Sequence, residues 1–119
     1  MKRAYQALSI VAPAGQRISA GKKTLEIRSW QPESLPLKDL LIVENMNYLN
    51  NKEEEIGRAV AIVDIESVHL WTENELELAV ASYWEDGYWA WVISNVRPIE
   101  KFVEVPAKRK IYSIDVDLE

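Results

Sequence analysis

The sequence predicts an α+β fold in which β-structure predominates: a small mixed β-barrel of about six strands with two or more short helices. Three observations carry this. Residues 40–43 (Leu-Leu-Ile-Val) and much of 57–68 are runs of aliphatic and β-branched residues, the mark of strands buried in a sheet. Residues 24–29 and 111–116 alternate in character with a period of two, as a strand does when its two faces meet different surroundings. Helical signals are confined to two short stretches, one opening at Pro13 and one near Thr72.

The elements follow in chain order. Residues 7–10 are an apolar run and read as a first, buried strand. Pro13 suits the first turn of a helix, where its missing N–H costs nothing, and Gly21 suits the stop, because glycine takes positive φ without strain. That gives a helix over 13–20, followed directly by the strand 24–29. Pro32 and Pro36 make 31–36 a loop. Residues 40–43 read as a strand covered on both faces, 45–51 as a turn, and 52–55 (Lys-Glu-Glu-Glu) as a solvated charge run. Residues 57–68 make a long strand. Thr72 with Glu75 fits a capping box, and Leu76, Ala79, Val80 and Tyr83 at helical spacing predict a second helix. Asp86-Gly87 is a turn. In 88–95, Trp89, Trp91 and Ile93 alternate with Tyr88, Ala90 and Val92. Pro98 and Pro106 bracket an edge or bent strand over 99–105; Lys108-Arg109-Lys110 is a basic turn set apart from the earlier basic stretch; 111–116 is the last strand.

Composition narrows the chemistry. At 119 residues the chain is of single-domain length, 1–119, and large enough for a core without staples. With no cysteine, disulfides, thiolate catalysis and Cys-based zinc sites are excluded, and the one histidine, His69, cannot build a His-based metal site alone. No metal or other cofactor is expected. No apolar run has signal or membrane length, so a cytoplasmic protein with no membrane partner is expected. The net charge of −5 argues against a general polyanion binder. Residues 1–30 nevertheless carry six Lys or Arg against one carboxylate, and residues 61–119 carry five against twelve. Folding either gathers that asymmetry into a basic face or interleaves and cancels it.

The richest stretch is Gly21 to Trp30. Leu25 and Ile27 share one face of the strand; Thr24, Glu26, Arg28 and Trp30 share the other, with Lys22 and Lys23 at its entrance. Glu26 and Arg28 read either as a surface ion pair or as a recognition pair, and Trp30, Trp89 and Trp91 either as core or as stacking platforms. The spacing Gly21-x-Lys23-x-x-Glu26-x-Arg28 resembles the signature of the ASCH family, a branch of the PUA-like β-barrels. Residues 7–10 resemble that family's first strand, and 87–93 with 97–100 its closing strands. One departure is visible: many members follow the first strand with Gln-Pro-Trp, whereas this chain reads Val11-Ala12-Pro13 and lacks the aromatic.

The resemblance implies binding of RNA, or of a nucleoside or nucleotide, in a cleft beside the signature strand. Lys22, Lys23, Thr24, Glu26, Arg28 and Trp30 are then the candidate binding residues. An alternative reading is a small hydrolase acting on an N4-acylated cytidine or on RNA, with Lys23 and Glu26 as the catalytic candidates. In acylcytidine-hydrolysing relatives a lysine at the Lys23 position works with a threonine and a distant glutamate. The threonine position holds Glu26 here, Thr24 lies two residues early, and the distant acid is open among Glu73, Glu75, Glu77 and Glu85.

Overall fold

The computed structural model describes residues 2–49 and 55–118. Its strands are β1 (Arg3–Val11), β2 (Leu25–Arg28), β3 (Leu37–Asn45), β4 (Glu55–Leu70), β5 (Trp89–Pro98), β6 (Glu104–Ala107) and β7 (Ile111–Val116), with helix α1 (Ala14–Ser19) between β1 and β2. They form one sheet in the order β2-β5-β4-β3-β1-β7, with β6 also paired to β4. All pairs are antiparallel except β1 with β3. The sixteen-residue β4 is the spine. It pairs β3 along one edge and β5 then β6 along the other, and four register shifts bend it.

Alternation along these strands sorts the core. Leu8, Ile10, Leu40, Ile42, Val63, Ile65 and Trp91 pack with Ile18 of α1 on one face of the sheet. Ala7, Leu41, Val43, Ala59, Val105, Ala107 and Val116 form a second cluster. Residues 40–43 are thus buried on both faces, as their composition predicts. A third cluster joins Leu25, Ala90, Trp71 and Ala79, so the apolar face of β2 lies under the segment that follows β4.

The helix expected over 13–20 is present as α1, with Pro13 at its N-cap and Gly21 just past its end at φ 77°. β7 matches its expected bounds. Four expectations are corrected. The sheet is open and does not close into a barrel: β7 pairs β1 only over residues 3–8, and beyond it β2 meets β1 through the Arg28 side chain on the Ser9 carbonyl, without a ladder. Instead of a second helix there is a 3-10 turn, Glu73–Glu75, continued by turns to Val80 at φ 51°. The capping box does form, with the Thr72 N–H and hydroxyl on Glu75 Oε1 at 3.1 and 2.9 Å. The helix stops because the Leu78 carbonyl accepts the N–H groups of Thr24 and Leu25, and the Ala79 carbonyl accepts Lys23. The strand expected over 99–105 is displaced to β6, and Pro106 lies inside it opposite Ile56. That edge position needs no N–H, and the Pro106 carbonyl accepts the Tyr112 hydroxyl at 2.9 Å. Finally, Glu55 is not simply solvated. It opens β4 and accepts the N–H groups of Met46 and Asn47, holding the turn after β3, while residues 50–54 lie outside the described range.

At the bulge between Leu37 and Leu40, Asp39 takes φ 55° and turns its N–H onto Asp64 Oδ1 at 3.0 Å. Arg97 bridges both carboxylates. The Asp39 N–H, then Asn95, hold the Asp64 carboxyl below the ordinary aspartate range; Arg97, then Arg3, do the same for Asp39. For carboxyls with depressed folded pKa values, the unfolded chain binds more protons at low pH. Their stabilisation is therefore complete above the ordinary aspartate pKa of about 3.9 and lost as pH falls through the folded values. Asp64→Asn should lower stability at pH 7 by about 1.5–3 kcal/mol and flatten the acid limb, as urea unfolding at stepped pH will read.

Candidate functional site

The open sheet leaves a cleft of about 690 Å³ where β2 faces β1. Ser9, Ile10, Val11 and Ala14 form one wall, and Glu26 to Trp30 the other. Asn45 at the end of β3 with Asn47, Tyr48 and Leu49 after it, Tyr88 before β5, and Lys108, Arg109 and Lys110 between β6 and β7 complete it.

Glu26 anchors the β2 wall. Its side chain is 9% exposed and lies between two cations. Arg28 donates through Nε to Oε2 at 2.8 Å, with Nη2 at 2.7 Å from the same oxygen, and Lys23 Nζ is 3.5 Å from Oε1. Each cation extends the chain by one step. Lys23 donates to the Ala79 carbonyl at 2.6 Å and Arg28 Nη2 to the Ser9 carbonyl at 2.9 Å. A continuous polar line thus runs from the Trp71–Val80 region through β2 to β1. Burial pushes the Lys23 amine below the ordinary lysine range, against the pull of Glu26, which raises it.

The residues singled out in the sequence are therefore divided. Glu26, Arg28 and Trp30 line the cleft, whereas Lys22, Lys23 and Thr24 do not. Lys22 is exposed, Lys23 is buried behind the strand, and Thr24 is half-buried. Most of the positive lining comes from Lys108, Arg109 and Lys110, not from the basic N-terminal third. There, Arg3 pairs with Asp39 and Lys23 faces inward. The basic turn was visible in sequence, but its distance of about eighty residues from the signature hid the juxtaposition. Ser9 was missed altogether. Its carbonyl holds Arg28, and its hydroxyl meets the Tyr112 hydroxyl at 2.9 Å and accepts the Lys108 N–H at 3.1 Å, so one residue fixes both walls of the cleft.

The tryptophans separate as well. Trp91 is fully buried and donates Nε1–H to the Trp30 carbonyl at 3.2 Å. Trp30 is half-buried, perpendicular to Trp91 with ring centroids 4.9 Å apart, and Lys110 Nζ lies over its ring, 5.2 Å from the centroid. Trp89 packs against the first core cluster. His69, outside the cleft, meets Glu75 Oε2 at 2.7 Å. Among the described residues no group of three or more His, Asp or Glu could hold a metal, and no helix is long and apolar enough to cross a membrane.

The bent sheet, with α1 leading directly into a short signature strand, is a PUA-like fold whose barrel is left open. Within it, the family model for the ASCH domain matches residues 8–103, and the chain belongs to that family, whose members are generally RNA-binding or hydrolase-related. The fold is similar to the crystal structure of ASCH from Zymomonas mobilis, at 20% identity and TM-score 0.54, covering 87% of this chain and 73% of that one. Two mutant forms of the same protein match at TM-scores 0.51 and 0.52, with 18% and 20% identity, covering 85% and 83% of this chain and 76% and 72% of theirs. No curated protein matches.

The polar line predicts an asymmetry between its members. Glu26→Ala strands the buried Lys23 ammonium and should destabilise by about 3–5 kcal/mol. Arg28→Ala leaves Glu26 paired to Lys23 and should cost less, about 2 kcal/mol. Chemical denaturation of the two variants measures both; an Arg28→Ala loss equal to or above that of Glu26→Ala would contradict this order.

Proposed function

We propose that this protein binds a nucleotide or a short single-stranded RNA in the cleft beside β2. The observation that carries the reading is the convergence of three consecutive cations, Lys108, Arg109 and Lys110, with the half-buried ring of Trp30 and the Glu26 carboxylate on one cavity. Cations suit phosphate, an indole face suits any base, and a carboxylate accepts from an exocyclic amine. Arg28 supports the site by holding Glu26 and Ser9, since Nε and Nη2 of its guanidinium are already engaged. Labelled oligonucleotide titrations should give weak binding with a slope of log K against log salt of about −1 to −2, because each phosphate neutralised contributes about −0.7 for a single strand. Arg109→Ala should lessen the slope, and Trp30→Ala should weaken binding by about 1–3 kcal/mol. Binding unchanged in both variants would remove the cleft as the binding surface.

The alternative, a hydrolase acting on a modified nucleoside or on RNA, draws on the lowered pKa of Lys23 beside Glu26. A lysine of that kind can serve as a base. Against it, Lys23 points to the Ala79 carbonyl and neither it nor Thr24 lines the cleft. N4-acetylcytidine should therefore be hydrolysed poorly or not at all, followed by chromatography of the product. Robust turnover abolished by Lys23→Ala would reverse this assignment.

A further inference from the structure

We propose that Lys110 gates the Trp30 ring and makes the cleft select phosphorylated nucleotides over nucleosides. The ammonium covers an indole face that a base would use; a nucleotide displaces it, placing its base on Trp30 and its phosphate against the released lysine. This rests on the binding reading above and adds the ligand class and the residue that sets it.

The argument starts from competition for one surface. Lys110 Nζ lies 5.2 Å from the Trp30 centroid, and both side chains line the same cleft. One ring face takes one partner. An exposed cation–π contact is weaker than a base stacked on an aromatic ring, so an arriving base wins the face. A nucleoside then leaves Lys110 with no partner from the ligand, whereas a nucleotide supplies an anion within the same cavity. The other charged groups of the lining favour that anion. Arg28, Lys108 and Arg109 are cationic, and the one carboxylate, Glu26, is already bracketed by Arg28 and Lys23.

The backbone decides which substitution at this position is tolerated. Lys110 sits at φ 57°, the left-handed region in which glycine and asparagine are at ease and a long side chain is uncommon. The start of the loop is fixed by the Lys108 N–H on the Ser9 hydroxyl, so the exposed lysine side chain can leave the ring without the loop moving.

The gate makes a prediction of opposite signs. Removing Lys110 frees the ring for a nucleoside but deprives a nucleotide of its cation. Lys110→Asn, which suits the left-handed backbone, should tighten adenosine binding by about twofold to fivefold. The same change should weaken binding of adenosine 5′-monophosphate by roughly tenfold. Cytidine and its 5′-monophosphate should behave alike, because stacking tolerates either base. In a Trp30→Ala background the tightening for the nucleosides should vanish. Isothermal titration of the four ligands against the parent and these variants, with melting temperatures as the folding control, gives the result. Opposite shifts support the gate. Shifts in the same direction, or no shift, overturn it while leaving the cleft reading intact wherever Trp30→Ala weakens binding. Failure of the parent to bind any of the four overturns both.

Discussion

β1 and β2 share no ladder. β3 pairs residues 7–11 of β1 and β7 pairs residues 3–8, so beyond Leu8 the gap to β2 is left to side chains. Arg28 spans it, and it can do so only because Glu26 fixes its guanidinium from behind. Glu26 in turn is buried with Lys23 balancing it from the far side, where the Ala79 carbonyl holds the ammonium. Each group in that line compensates a burial cost that another imposes. The cleft exists because the line replaces a ladder: a closed barrel would fill the gap with backbone hydrogen bonds and leave no space between β2 and β1.

The distribution of charge follows the same logic. A molecule of net charge −5 carries a lining in which Arg28 and the Lys108–Lys110 turn outnumber Glu26. Low-dielectric walls on either side concentrate that local field into the opening, so a small anion feels the cleft more than the overall charge. Ser9 makes the arrangement rigid from both directions, since its carbonyl and hydroxyl anchor opposite walls.

Much of the fold was legible because it rests on local signals. The Gly21 stop, the all-apolar 40–43 run and the alternation of 111–116 each specify an element through periodicity or backbone freedom. The expectations that failed depended on remote partners. Nothing near Thr72 reveals that Lys23, Thr24 and Leu25 will take the carbonyls a second helix needs. Nothing in residues 99–105 reveals that Val103 will meet Ala59 before a strand begins at Glu104. The site divides in the same way. Alternation grouped Thr24, Glu26, Arg28 and Trp30 on one face; the cleft takes the last three together with Ile27 and Ser29, and leaves out Thr24. Lys23 precedes the strand, so alternation could not fix its direction, and the contribution of Lys108 to Lys110 is set by topology alone.

Pro106 bears on how copies of this chain meet. A strand laid along the outer edge of β6 would seek alternating donors and acceptors. At Pro106 it finds no N–H, and the carbonyl there is occupied by the Tyr112 hydroxyl. The Lys108 amide that follows is already bonded to Ser9. At these two positions the edge offers a neighbour little to bond, and the basic turn beside it repels its own copy. Sheet growth from neighbour to neighbour, the usual hazard of a domain with open β edges, is blocked along β6 by the residues that shape the mouth of the cleft.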